Sequence, residues 1–177
     1  MARLYGSIQL VGASRTGGPA PINGADAARP WLRLETTIIG IADGLRSAYD
    51  RRFAPLGLNL SQATILAYLD DFGPTIQTRL ADHLGHGRAA TGTSINQLER
   101  AGLVRRTHDP SDRRVWQVQL TSAGSELVPQ IAAVDADMRA AFRAGLNRDE
   151  RHVLGEALGR LDHNLRADRV VGTANHT

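Results

Sequence analysis

Apolar side chains recur every three or four residues over most of this chain, and every second residue in one short stretch. Pro30 suits the first turn of a helix. Leu34, Ile38, Ile41, Leu45 and Tyr49 then follow at helical steps and predict a long first helix, broken near "FAPLGL" by Pro55 and Gly57. "NLSQATILAYLDDFGP" predicts a second helix, capped by Asn59 or Ser61, with Ile65, Leu66 and Leu69 buried and Gly73-Pro74 as its stop. "TIQTRLADHLG" predicts a short third helix with Thr75 as its cap and Ile76, Leu80 and Leu84 inward. After a tight turn over Gly85 to Gly87 comes a fourth, "RAATGTSINQLERAG", whose inward residues are Thr91, Ile95 and Leu98 and whose end is Gly102.

The period then switches to two. Trp116, Val118 and Leu120 alternate with Val115, Gln117 and Gln119, as in a half-buried strand. "HDPSD" before it reads as a turn, in which Asp109 caps its own backbone and Pro110 presets the bend. Thr121 is placed to cap a fifth helix running to about Ala144, bent at Pro129. Asn147 and Glu150 have the spacing of a capping box for a sixth, which carries Val153, Leu154, Leu158, Leu161 and Leu165. The fold class expected is mainly α with a small β-hairpin wing: a winged helix-turn-helix plus a helical dimerisation region. Residues 1 to about 29, rich in Gly, Ala, Ser and Pro, read as a flexible extension, with a short strand near Leu4 to Val11 as the minor alternative; residues 171–177 read as a frayed tail.

Charge sharpens this picture. Between Arg79 and Arg114 there are seven arginines and four carboxylates, an excess equal to the +3 of all 177 residues. A local basic excess on a hairpin and the helix before it is the footprint of a nucleic-acid partner. On the fourth helix, the side opposite Ile95 carries Thr93, Gln97 and Arg100, flanked by Ala89, Ala90 and Asn96. Small and amide side chains approach base edges closely, and Asn or Gln pairs bidentately with adenine. A solvated polar face is the plain alternative for this helix taken alone. Helix, helix, tight turn, helix, hairpin is the order of a winged helix-turn-helix, whose fourth helix enters the major groove.

Other chemistry is weaker. The chain has no Cys, which excludes disulfides, a thiolate nucleophile and Cys-ligated metal. Ser, His and Asp occur at no spacing that suggests a catalytic site, so no enzyme is expected, and no cofactor. "GHGRAA" matches a dinucleotide fingerprint but follows a helix, with no βαβ unit around it. His152, Glu156 and His163 share a helix face, yet the two histidines stand about 16 Å apart along it, too far for one metal ion. His83 and His86 flank the turn before the reading helix, where phosphate contact competes with simple exposure. No apolar run approaches the roughly 20 residues of a spanning helix, and the start does not resemble a secretory signal. A cytoplasmic protein without a membrane role is expected.

"LERAGLVRRTHDPSDRRVWQVQLTSAG" resembles the MarR family of transcriptional regulators: a Leu-Glu-x-x-Gly-Leu-Val entry, an Arg in the first strand, an Asp-x-x-Asp-Arg-Arg tip and a Leu-Thr-x-x-Gly exit. "PLGLNLSQATILAYL" and "LADHLG" match that family's usual second and third helices, so the resemblance runs from Trp31 to about Ala167. It implies a MarR-type unit over 30–170, with dimerisation helices at about 30–54 and 122–170 and a winged DNA-binding region at about 58–121. It implies a homodimer on a pseudo-palindromic operator in double-stranded DNA, usually as a repressor, and a small aromatic or phenolic effector. The sites it and the helix face suggest are Arg88, Thr93, Asn96, Gln97, Arg105, Arg106, Asp112, Arg113 and Arg114. By the resemblance, Arg114 enters the minor groove, Asp112 braces its guanidinium, and Arg106 supports it. Narrow minor grooves do attract arginine, and a carboxylate can hold a guanidinium in a fixed fork. Gly87 and Thr93 depart from the family's Ser and larger basic residue, and Gly92 costs mid-helix stability. An effector cleft between the first, second and fifth helices is expected near Leu45, Tyr49, Leu66 and Tyr68. Lacking Cys, the chain has no thiol for the peroxide sensing some members use. A winged helix that recruits protein, without sequence-specific DNA binding, is the alternative function.

Overall fold

The structure is a computed structural model and describes residues 30–174; the expected N-terminal extension, its possible strand, and residues 175–177 lie outside the described residues. The elements run α1 (Pro30–Phe53), one 3₁₀ turn (Ala54–Leu56), α2 (Leu60–Phe72), α3 (Gln77–Leu84), α4 (Arg88–Arg100), β1 (Val104–His108), β2 (Trp116–Leu120), α5 (Ser122–Phe142) and α6 (Arg148–Ala174). Every expected helix forms, and so does the hairpin. The chain divides into two compact units, with α1 to α5 in one and α6 in the other.

In the first unit the core is aliphatic, as a sequence poor in aromatics requires. Phe53 from α1, Ile65, Leu66 and Leu69 from α2, Leu80 from α3, Ile95 and Leu98 from α4, Val104, Val118 and Ile131 form one buried cluster. The ends of its helices are closed from within. Asn59 and Gln62 make a reciprocal capping box on α2, and the Asp50 carboxylate of α1 accepts the Leu60 N–H at 2.7 Å. Thr121 accepts the Gly124 N–H at 3.1 Å and so caps α5, while Pro129 stands inside α5 without ending it.

Two expectations are corrected. Thr75 does not cap α3. It is buried and forms a bridge to Val118, with Thr75 N–H donating to the Val118 carbonyl (3.0 Å) and Val118 N–H donating back (2.8 Å). The free edge of β2 has buried main-chain groups that need partners, and a β-branched residue favours the extended backbone that supplies them. The cap position passes to Ile76, which makes no side-chain bond and is exposed rather than inward.

The C-terminal turns of α1 reach the core through Tyr49 and Phe53, whereas Leu34, Ile39 and Ile41 are at least half exposed. In the second unit, α6 begins with the expected capping box, Asn147 N–H donating to Glu150 Oε2 and Glu150 N–H to Asn147 Oδ1. It extends to Ala174, past the expected end near 170, and Val153, Leu154, Leu158, Leu161 and Leu165 along it are all exposed.

Candidate nucleic-acid interface

The site is built on α4 and the hairpin. Thr91, Ile95 and Leu98 are buried, which fixes the rotation of α4 and turns Ala89, Ala90, Thr93, Asn96, Gln97 and Arg100 to the surface. Arg88 opens the helix, exposed, with Gly87 as a cap that offers no side-chain bond. Gly92 has a local reason: a Cβ there would stand 2.9 Å from the amide nitrogen of Gln77, which donates to the Arg88 carbonyl and ties α3 to α4.

The hairpin pairs Val104 with Leu120, Arg105 with Gln119, Arg106 with Val118 and His108 with Trp116. Val104 and Val118 are buried against the core, so the hairpin stands on the domain at its base and projects at its tip. Trp116, at the outer end of the alternating stretch, is exposed and packs at a tilt on His108 across the strands, ring centroids 3.9 Å apart.

The tip is a network of acceptors. The Asp109 carboxylate accepts the Ser111 N–H (2.7 Å), the Asp112 N–H (3.3 Å), the Ser111 hydroxyl and the Gln117 amide. These bonds, the Ser111 hydroxyl first, hold the Asp109 carboxyl below its ordinary value of 3.8 against a smaller opposing effect of desolvation. A carboxyl lowered in the folded state stabilises the turn above the unfolded value, and that contribution disappears as pH falls through the lower, folded one. A carbon-detected titration of Asp109 is therefore expected to show a midpoint below 3.8, and Ser111→Ala should move it upward. A midpoint unaffected by Ser111→Ala would mean that the turn is not formed in solution.

The four arginines of the hairpin have different surroundings. Arg105, Arg113 and Arg114 are exposed, and no carboxylate among the described residues pairs with them. Arg106 is half-buried. It ion-pairs with Glu99 of α4, and its other terminal nitrogen donates to the Asn96 side-chain oxygen at 2.7 Å. The expected brace between Asp112 and the Arg114 guanidinium is absent. Asp112 instead accepts the Arg114 main-chain N–H at 2.9 Å. Two residues apart in a turn, the short carboxylate reaches a fixed main-chain donor more easily than the end of a mobile side chain.

The amides of α4 also have internal partners. Asn96 gives its oxygen to Arg106, and Gln97 gives its oxygen to the Gln62 amide of α2 at 3.0 Å. The Thr93 hydroxyl donates to the Ala89 carbonyl. Bidentate adenine pairing, expected from residue type, requires oxygen and nitrogen together, and each amide has its oxygen engaged. The sequence reading missed Gln62 and Glu99. The spacing Asn59-x-x-Gln62 was the available signal for the first.

A recess between α1, α2 and α5 occupies the expected effector region. It is lined by Tyr49, Phe53, Ala63, Ile131, Asp135 and Arg139 among others, and its volume is about 80 Å³. Tyr49 donates to Asp135 at 2.8 Å, and Asp135 also pairs with Arg139. Of the residues named from sequence, Tyr49 lines the recess. Leu45 is half-buried and outside its lining, Leu66 is fully inside the core, and Tyr68 is turned to Phe72 and His83. On α2 the recess is lined by Leu60, Ala63, Thr64 and Ala67, and positions 66 and 68 lie about 100° to either side of Ala67.

A helix-turn-helix followed by a basic two-stranded wing defines a winged-helix DNA-binding regulator. The MarR family model matches residues 56–115, from the 3₁₀ turn after α1 through the tip of the wing. A putative MarR family transcriptional regulator from Listeria monocytogenes, solved in complex with 26mer DNA, is 26% identical. It aligns over 75% of this chain and 89% of its own, with a TM-score of 0.68. A probable transcriptional regulator from Pseudomonas aeruginosa is 28% identical over 73% of this chain and 99% of its own, with a TM-score of 0.63. The transcriptional regulator SlyA shares the fold at 24% identity and a TM-score of 0.70, over 76% of this chain and 95% of its own. Family and neighbours are transcriptional regulators rather than enzymes. Among the described residues no helix is long and apolar enough to cross a membrane.

Proposed function

We propose that this protein is a ligand-responsive repressor that binds a pseudo-palindromic operator as a homodimer. The observation that carries the DNA reading is the wing: three exposed arginines without internal ion pairs, on a tip whose main chain is fixed by Asp109 and Asp112. Cations not neutralised within the protein are available to phosphates and to a narrow minor groove. Arg88, Arg105 and Arg113 would meet the backbone, Arg114 the minor groove, and Thr93, Asn96 and Gln97 the major groove. Arg106, already paired, would hold the wing to α4. The Listeria relative solved with DNA supports the same reading.

Dimerisation is supported by apolar surface. The exposed leucines and valine of α6, and separately Leu34, Ile39 and Ile41 of α1, form stripes of the kind a monomer rarely leaves in water. A two-fold axis would cover them and set two reading heads side by side. Repression follows from occupancy alone, since a dimer across a promoter blocks polymerase without another contact. The effector reading rests on the recess: an apolar floor with Tyr49 and the Asp135–Arg139 pair at its edge suits a small aromatic or phenolic compound. Its volume is far below the roughly 300 Å³ at which small-molecule sites usually begin, so binding would open α5 from α1.

Selection from a random duplex pool, with sedimentation of the protein alone, tests this. Expected are a dimer at micromolar concentration and enriched inverted repeats with half-sites about 10 bp apart. Affinity for them should fall steeply with salt. A stable monomer refutes the dimer. A pool with no enriched sequence transfers the function to protein recruitment by the winged helix.

A further inference from the structure

We infer that the two amides on the reading face of α4 are held in one orientation by bonds inside the protein, so that both present their NH₂ groups to the groove and select acceptor-bearing base edges, guanine above all. This rests on the DNA-binding reading and specifies it.

Each orientation follows from donor chemistry. Arg106 is a donor with no acceptor. Its terminal nitrogen lies 2.7 Å from the Asn96 side-chain oxygen, and its guanidinium is held in place by Glu99. Were Asn96 flipped, an NH₂ group would face a guanidinium, donor against donor. Its oxygen therefore stays inward.

The second amide is oriented through a longer relay. At the start of α2 the Asn59 N–H donates to Gln62 Oε1 at 2.9 Å, and the Gln62 N–H donates to the Asn59 side chain at 2.9 Å. A main-chain N–H can only donate, so the capping box fixes which end of the Gln62 amide is oxygen. The remaining end, Nε2, must donate, and it does so to Gln97 Oε1 at 3.0 Å. A cap on one helix thus sets the polarity of a side chain on another.

Asn96 and Gln97 are adjacent on α4 and both exposed. Consecutive residues are separated by about 100° around a helix, so the two NH₂ groups address different bases. In the major groove guanine shows two acceptors, N7 and O6, and thymine shows O4, whereas adenine sets an amino donor beside N7. An outward NH₂ meets attraction at guanine and repulsion at the adenine amino group. Residue type alone suggests adenine for these amides; their locked orientation reverses the preference.

Gln62→Glu tests the relay without removing either reading residue. The introduced carboxylate still accepts the Asn59 N–H, and glutamate is a favoured residue at this position of a capping box, so α2 is retained. Its second oxygen can only accept, which turns the Gln97 amide over and sends Oε1 outward. Wild type, Gln62→Glu and Gln97→Ala are each selected on the same random duplex pool. The base position whose preference vanishes in Gln97→Ala is the one Gln97 reads. There, wild type is expected to favour guanine over adenine by about tenfold. Gln62→Glu should favour amino-bearing adenine or cytosine instead, whatever its overall loss of affinity from the added charge. An unchanged preference in Gln62→Glu overturns the relay, as does a wild-type preference for adenine at that position. A wild-type protein that enriches no sequence refutes the DNA-binding reading itself and this inference with it.

Discussion

Gly124→Ala is expected to cost the fold about 3 kcal/mol. A Cβ at this position would stand 2.1 Å from the Leu103 carbonyl oxygen, 3.1 Å from the carbonyl carbon and 3.1 Å from a Leu120 methyl. Leu103 is main chain at the foot of the wing and cannot turn aside. Its carbonyl already accepts the Thr121 N–H at 3.1 Å, and Thr121 is held again by donating its hydroxyl to Gly102 at 2.7 Å. The first turn of α5 therefore presses directly on the strand that leaves α4. Gly92→Ala makes the contrast. There the new methyl meets only the end of the Gln77 side chain, which can move, and alanine regains up to about 1 kcal/mol of helix propensity. Urea unfolding of the two variants is expected to show a large fall in midpoint for Gly124→Ala and little change for Gly92→Ala. Equal midpoints for Gly124→Ala and wild type would mean that α5 does not pack on Leu103 in solution.

Arg114→Ala is expected to weaken operator binding most among the wing variants, by roughly 1–3 kcal/mol. The residue follows a turn whose main chain is fixed at Asp109 and Asp112, and its guanidinium has no ion-pair partner to leave behind when it enters DNA. Asp112→Ala should give a partial loss, by freeing the main chain beneath Arg114. Arg105→Ala should weaken all duplexes alike and reduce the salt slope by about one unit, as the loss of one phosphate contact does. Salt titrations of the three variants on operator and scrambled duplex separate these effects. Wild-type affinity in Arg114→Ala would remove the wing from the DNA-reading surface.

The helices, the hairpin and the inward residues of α4 were legible because each rests on local rules. A 3.6-residue period places Thr91, Ile95 and Leu98 on one side whatever surrounds them, and the turn chemistry of "HDPSD" is contained in five residues. The capping box of α6 was legible for the same reason. Thr75 was misread because its strand partner Val118 lies 43 residues further on, and a threonine before a helix has the same local signature whether it caps or pairs.

The site divides along the same line. Sequence alone determined that the fourth helix carries small and amide residues on its outer face, that the hairpin is basic, and that no thiol chemistry is available. Those follow from residue identity and short-range periodicity. Only tertiary structure decided which arginine is paired, what Asp112 holds, which way the amides of Asn96 and Gln97 face, and that Tyr68 belongs to the core while Tyr49 lines the recess. Most of these depend on partners from other elements. Glu99 and Arg106 meet across the α4–β1 junction, and Gln62 and Gln97 are 35 residues apart. A hydrogen bond is directional, and the direction of an amide is set by whatever donor folding brings within about 3 Å of it.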